Sequence, residues 1–158
     1  MRRSPLHQQN VRQFFDQLAV TYAQRYSQQQ PYLQYWFNER LRVALGNKDY
    51  HGKRILDIGA GNGALYHTLQ EKISSFSYQA TDVSAAMLAQ SAIPIAQRWV
   101  GEISNWPAPT QKFDHIFMLG LVSYLSAEGL PEHLQWAREH LHPEGGLCIS
   151  FTNRASWD

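Results

Sequence analysis

Residues 54–65 constrain the fold more than any other part of the chain. The run Arg54-Ile55-Leu56-Asp57-Ile58 passes without a linker into Gly59-Ala60-Gly61-Asn62-Gly63, and then into Ala64, Leu65 and Leu69 at helical spacing. That order predicts a short buried strand, a turn nearly bare of side chains, and a helix start. Helix-start amides carry partial positive charge and favour a negative group. A glycine turn also lets a ligand approach the backbone closely.

The same alternation continues along the chain. Phe76–Thr81 reads as a second strand, and Ser84 caps a helix holding Met87 and Leu88. Gln97–Val100 is a weak third strand, and Phe113–Leu119 a strong fourth. Leu130, Leu134, Ala137 and Leu141 mark a helix, which Pro143 and Gly145-Gly146 end, and Leu147–Thr152 reads as a fifth strand. Strands alternating with helices predict βαβ units, a mostly parallel open sheet, and helices on both faces. The first 46 residues differ. Val11, Phe14, Phe15, Leu18, Ala19, Tyr22 and Tyr26 form a helical stripe, with Asn10 as its expected cap. A second helix follows Pro31 and stops at Gly46-Asn47. The expected organisation is one domain over residues 1–158, with a helical cap over 1–46 and a Rossmann-like core over 53–158.

Composition narrows the function. The 158 residues are 44% hydrophobic, enough for a core, and Lys+Arg 14 against Asp+Glu 13 leaves a net charge of +1. That overall balance makes no case for nucleic acid as partner. No apolar run reaches the ~18 residues of a membrane span, and no apolar segment follows Arg2-Arg3, so a cytoplasmic location is expected. The one cysteine, Cys148, has no partner for a disulfide, and the histidines lack metal-ligand spacing, so no metal is expected.

The site chemistry starts from Asp57, two positions before Gly59. Gly59-Ala60-Gly61-Asn62-Gly63-Ala64 satisfies the loose Gly-x-Gly-x-x-Ala pattern of dinucleotide sites. A carboxylate inside the strand would repel a pyrophosphate but attract a cationic amino group. Glycines at every second position leave a wide bare loop. Asp82 lies 23 residues beyond Gly59, the distance at which an acidic residue accepts ribose hydroxyls. Glu102 follows the third strand, where an exocyclic adenine amine is one partner and solvent the other. A cation, a ribose and an adenine without phosphate describe S-adenosylmethionine.

At these residues the chain resembles the class I S-adenosylmethionine-dependent methyltransferases. Ile55–Leu65 is similar to that family's glycine motif, and Thr81-Asp82-Val83-Ser84 to its second motif. Gly101-Glu102 with Trp106-Pro107, Phe113–Leu125, and Leu141–Gly146 resemble its later motifs. Phe14–Ala19 with Tyr22 resembles the cap helix of small-molecule members. The resemblance implies strand order 3-2-1-4-5 and a cofactor site of Asp57, Gly59, Ala60, Gly61, Gly63, Asp82, Val83, Glu102, Ile103, Leu119 and Tyr22. Tyr22 and Tyr26 fit a cofactor lid and core packing equally. Transfer from a sulfonium needs alignment more than a dedicated catalyst; Tyr124, in the loop beyond the fourth strand, is the candidate base. The expected acceptor is a small organic or lipid-linked molecule.

The chain stops at Asp158, where the resemblance implies a sixth and a seventh strand. The expectation is a form lacking them, with a fifth-strand edge open to self-association. Two other readings compete with methyl transfer: a catalytically silent S-adenosylmethionine-binding module, and a nicotinamide-dependent oxidoreductase, against which Asp57 and the loop spacing count.

Overall fold

A computed structural model describes residues 5–151. Two helices come first, α1 (Pro5–Arg25) and α2 (Pro31–Leu45). The alternating part then runs β1 (Arg54–Ile58), α3 (Ala64–Lys72), β2 (Ser77–Asp82), α4 (Ala85–Ala89), β3 (Arg98–Val100), β4 (Phe113–Met118), α5 (Gly129–His140) and β5 (Leu141–Ile149). The five strands form one parallel sheet in the order β3-β2-β1-β4-β5, as the resemblance implies. The order turns back between β1 and β4, and a crevice opens there beyond the strands' carboxyl ends.

Strand alternation divides the core between the two faces of the sheet. Ile55, Tyr78, Ala80 and Phe117 pack with Leu41 and Leu45 of α2 and Leu65 and Leu69 of α3. Leu56, Ile58, Ile116 and Met118 pack on the other side with Ala137 of α5. All of β1 beyond Arg54 is buried, because both faces are covered. Asp57 shares the first face with Ile55 and is itself buried.

Three boundaries depart from the sequence reading. Asn10 lies inside α1 rather than capping it, since the helix already runs from Pro5, a residue suited to a first turn. The second departure is at β3, which begins at Arg98 because Ile95–Gln97 is a 3-10 turn. The third is at β5. Leu141 already pairs with Phe113 directly after α5, the register then shifts, and pairing resumes at Gly146 opposite His115. His142, Pro143, Glu144 and Gly145 therefore form an irregular bulge within a strand, not the turn that precedes one. Thr152, the expected end of that strand, lies outside the described residues.

Candidate cofactor and acceptor cleft

The glycine turn is fastened to the end of β2. The N–H groups of Gly59 and Ala60 both donate to the Thr81 carbonyl, at 2.8 and 3.1 Å. Gly61 N–H donates to Asp82 Oδ2 at 2.8 Å, and Gly63 N–H to the Ala60 carbonyl at 3.0 Å. These amides are committed within the protein and do not cradle a phosphate. Gly59, Gly61 and Gly63 all have positive φ. At Gly61 a Cβ would come within 3.2 Å of Met87 Cε, the movable end of a flexible side chain, so it is the left-handed φ of +56° that favours glycine where the loop meets α4.

Asp82 Oδ1 accepts the Ser84 N–H at 2.8 Å. Ser84 Oγ caps α4 by accepting from Met87 N–H at 3.1 Å, and its own hydroxyl donates to Asp16 Oδ1 at 2.6 Å. A chain of hydrogen bonds thus joins α1, the end of β2 and the glycine turn. Each carboxylate oxygen of Asp82 keeps further acceptor capacity. Burial raises the Asp82 carboxyl above its usual pKa, against the lowering effect of the Ser84 and Gly61 amides.

Two adjoining cavities lie at this place. The larger, about 410 Å³, takes walls from Gly59, Gly61, Asp82, Val83, Glu102, Ile103, Leu119, Tyr22 and Tyr124. Its size falls within the range of small-molecule sites. The smaller, about 40 Å³, is lined by Asp57, Ala60, Arg40 and Leu65. Tyr22, Arg40, Gly59, Gly61 and Leu119 border both. Gly63 borders neither. It starts α3 with φ +76°, and a Cβ there would lie 2.7 Å from Ser91 Cβ. Its place is behind the loop, in helix packing.

Asp57 is held by Tyr78, whose hydroxyl donates to Oδ2 at 2.8 Å. Burial pushes the Asp57 carboxyl up to about 7; the Tyr78 bond opposes this, Asp82 adds to it, and Arg40 opposes it again. A carboxyl raised by folding adds stability while protonated, and that contribution disappears as the unfolded chain ionises first. Stability is therefore expected to fall as pH rises from about 4 to about 7. Asp57→Asn should flatten much of that slope in denaturant melts across the window, with the Asp82 share remaining.

Arg40 and two histidines were not anticipated as wall residues. The Arg40 guanidinium comes from α2, lies over the Phe37 ring at 5.0 Å and reaches the backbone at Gly120, while its buried Nε has no hydrogen-bond partner. His7 and His133 line the larger cavity. His7 Nε2 donates to the Tyr124 carbonyl at 3.1 Å, and His133 Nδ1 to the Gly129 carbonyl at 2.8 Å. Tyr124 itself packs edge-on against Phe15, with ring centroids 4.8 Å apart, so α1 and the loop after β4 meet across the mouth. Burial, and then Tyr26, hold the Tyr22 phenol far above its usual pKa; it remains an O–H donor at working pH.

The profile of a family described as "Methyltransferase domain" matches residues 55–145, more than half of the chain. No curated protein matches. Among solved structures, a DhpI–SAM–HEP complex superposes with a TM-score of 0.71 at 16% identity, over 98% of this chain and 69% of that one. Phosphoethanolamine N-methyltransferase 1 from Haemonchus contortus, in complex with phosphoethanolamine and S-adenosylhomocysteine, gives 0.72 at 20% identity. A SAM-dependent methyltransferase from Thiobacillus denitrificans, in complex with S-adenosyl-L-homocysteine, gives 0.56 at 18%. This chain is covered to 90% and 70% in those two, but spans only 32% and 47% of their lengths. At these identities the likeness is one of fold.

Proposed function

The chain belongs to the methyltransferase domain family, and we propose that it binds S-adenosylmethionine in the paired cavities and transfers its methyl group to a small organic or lipid-linked acceptor. One observation carries the reading: the Asp57 carboxyl and the Arg40 guanidinium, whose buried Nε has no hydrogen-bond partner, face the same small cavity beside a larger one walled by Asp82 and Glu102. An α-amino acid end has an ammonium and a carboxylate, which that pair complements. Ribose hydroxyls suit the acceptor capacity of Asp82, and Val83 and Ile103 offer apolar walls for an adenine next to Glu102. The commitment of the loop amides weighs against a dinucleotide, whose pyrophosphate would need them.

When bound, the cofactor supplies a methyl group already activated by its sulfonium. The protein's work is then positional. Gly59, Gly61 and Leu119 form the border between the cavities, so they set where the two ends of the cofactor meet. The contacts of α1 with Tyr124 and Ser84 bridge the mouth of the cleft. An acceptor proton, where there is one, has the Tyr124 side of the mouth as its nearest exit. On this reading the partners are that acceptor and, at the β5 edge of the sheet, a second copy of the chain.

Titration calorimetry tests the assignment. S-adenosylhomocysteine should bind and NAD should not. In Arg40→Met, affinity for S-adenosylhomocysteine should drop about tenfold or more, the loss of a charged hydrogen bond. Affinity for 5′-methylthioadenosine, which lacks the amino acid end, should stay within about twofold. Binding of NAD in preference to S-adenosylhomocysteine would overturn the function; equal losses for both adenosine ligands would overturn the role of Arg40.

A further inference from the structure

The arginines of α1 and α2 are of two kinds. Arg12 lies 3.6 Å from Asp16, and Arg42 lies 2.8 Å from Glu39. Arg25 and Arg40 have no ion-pair partner among the described residues, and both line the larger cavity. The carboxyl groups of that cavity, Asp82 and Glu102, lie at its other end. Asp82 ends β2 and Glu102 follows β3. Arg40 reaches Gly120, just beyond β4, where its Nη1 stands 2.7 Å from the position of a Cβ. Strand β1 separates β2 from β4, so at ~4.8 Å per strand the acidic and basic ends are about 10 Å apart. The cavity is thus polarised across the sheet.

Aromatic rings tie the basic end together. Tyr26 follows Arg25 and stacks on Phe37, with ring centroids 4.6 Å apart. Phe37 in turn lies under the Arg40 guanidinium at 5.0 Å. Tyr22 packs on Tyr26 at 5.1 Å and keeps its proton, so its hydroxyl is a donor. Two guanidiniums and two phenols therefore gather at this end, while Asp57 opens on the smaller cavity.

In the proposed cofactor site Asp57 takes the ammonium, Arg40 the carboxylate, and Asp82 and Glu102 the ribose and adenine. Arg25 is left over, and the sulfonium brings a further positive charge. We propose that the methyl acceptor carries an oxyanion, a carboxylate or a phosphonate-type group, which Arg25 binds at the mouth of the larger cavity. Arg25 is exposed at the end of α1, where an acceptor arriving from solvent meets it. Its planar fork matches two oxygens of such a group. The oxyanion serves as an anchor. This inference rests on the paired cavities holding the cofactor, and it names the class of acceptor.

Titration calorimetry of the full chain saturated with S-adenosylhomocysteine tests it, with benzoate and phenylphosphonate as probes and benzamide as the neutral match. One or both anions should bind, benzamide should not, and added salt should weaken the binding. Preference for benzoate assigns the site to carboxylates; preference for phenylphosphonate assigns it to phosphonates and phosphates. Arg25→Gln should lower anion affinity about tenfold. Arg25→Lys should lower it less, because lysine keeps the charge without the fork. Both variants should melt as the parent does and bind S-adenosylhomocysteine within about twofold of it, since Arg25 is exposed. Binding of S-adenosylhomocysteine without either anion would overturn the proposal and leave the cofactor reading in place. So would equal binding of benzamide, or unchanged anion affinity in Arg25→Gln. An equal loss of S-adenosylhomocysteine affinity in Arg25→Gln would put Arg25 in the cofactor site and also overturn it. Failure of S-adenosylhomocysteine itself to bind would overturn both.

Discussion

Asp82→Ala is expected to weaken S-adenosylhomocysteine binding by roughly 10- to 100-fold, about 1–3 kcal/mol, the range for a lost hydrogen bond to a charged acceptor. The side chain has two duties in the proposed site. It faces the larger cavity, and it holds the Gly61 and Ser84 amides in place. Removal frees the glycine turn as well as deleting a ribose acceptor. Asp82→Asn removes part of each duty, because its NH2 group faces one of the two amides, of Gly61 and Ser84, that the carboxylate accepts. One oxygen remains to accept an amide, but the charge and half of the acceptor capacity go. Unchanged affinity in a folded Asp82→Ala chain would remove Asp82 from the site.

The largest effect on stability is expected from Gly63→Ala. A left-handed φ costs an L-residue about 1–2 kcal/mol. At Gly63 the new Cβ would also sit 3.2 Å from Ile93 Cδ1 and 2.7 Å from Ser91 Cβ, an atom fixed directly to the backbone that no rotamer change moves aside. Overpacking of this kind adds about 1–3 kcal/mol. The sum corresponds to a fall in melting temperature of about 4–20 °C for a domain of this size. Gly52→Ala is the matched control. Its φ is +69°, but nothing lies within 4 Å of the new Cβ, so only the conformational cost applies. Thermal melts of the two variants should therefore differ by the packing contribution; equal shifts would show that Ser91 and Ile93 yield freely.

The readings that survived into three dimensions share one property: each depended on residues close together along the chain. Ile55–Ile58 followed by glycines can bury a strand and turn in only one way. Asp82 had to fall at the carboxyl end of β2 once that strand was placed. Ser84 was legible as a cap because it stands three residues before the amide that it accepts from, Met87 N–H. The parallel sheet followed from strand–helix alternation, and its order from the resemblance.

The other features were decided by packing between distant segments. In sequence Gly63 belongs with Gly59 and Gly61; the turn of α3 against Ser91 and Ile93 makes it a packing residue instead. Pro143-Glu144-Gly145 has the chemistry of a loop, yet β4 had already offered Leu141 a partner, so the strand began early and bulged. Arg40 reads as one more charge on a solvated helix between Glu39 and Arg42. Only the seating of α2 beside the glycine turn brings its guanidinium to Gly120 and opposite Asp57. By itself the sequence determined which segments are strands and helices, and which local turns can meet a ligand, because backbone preference and short-range periodicity act within a few residues. The tertiary structure alone decided which side chains face one another across the cleft, because that depends on how helices far apart in the chain settle on the two faces of one sheet.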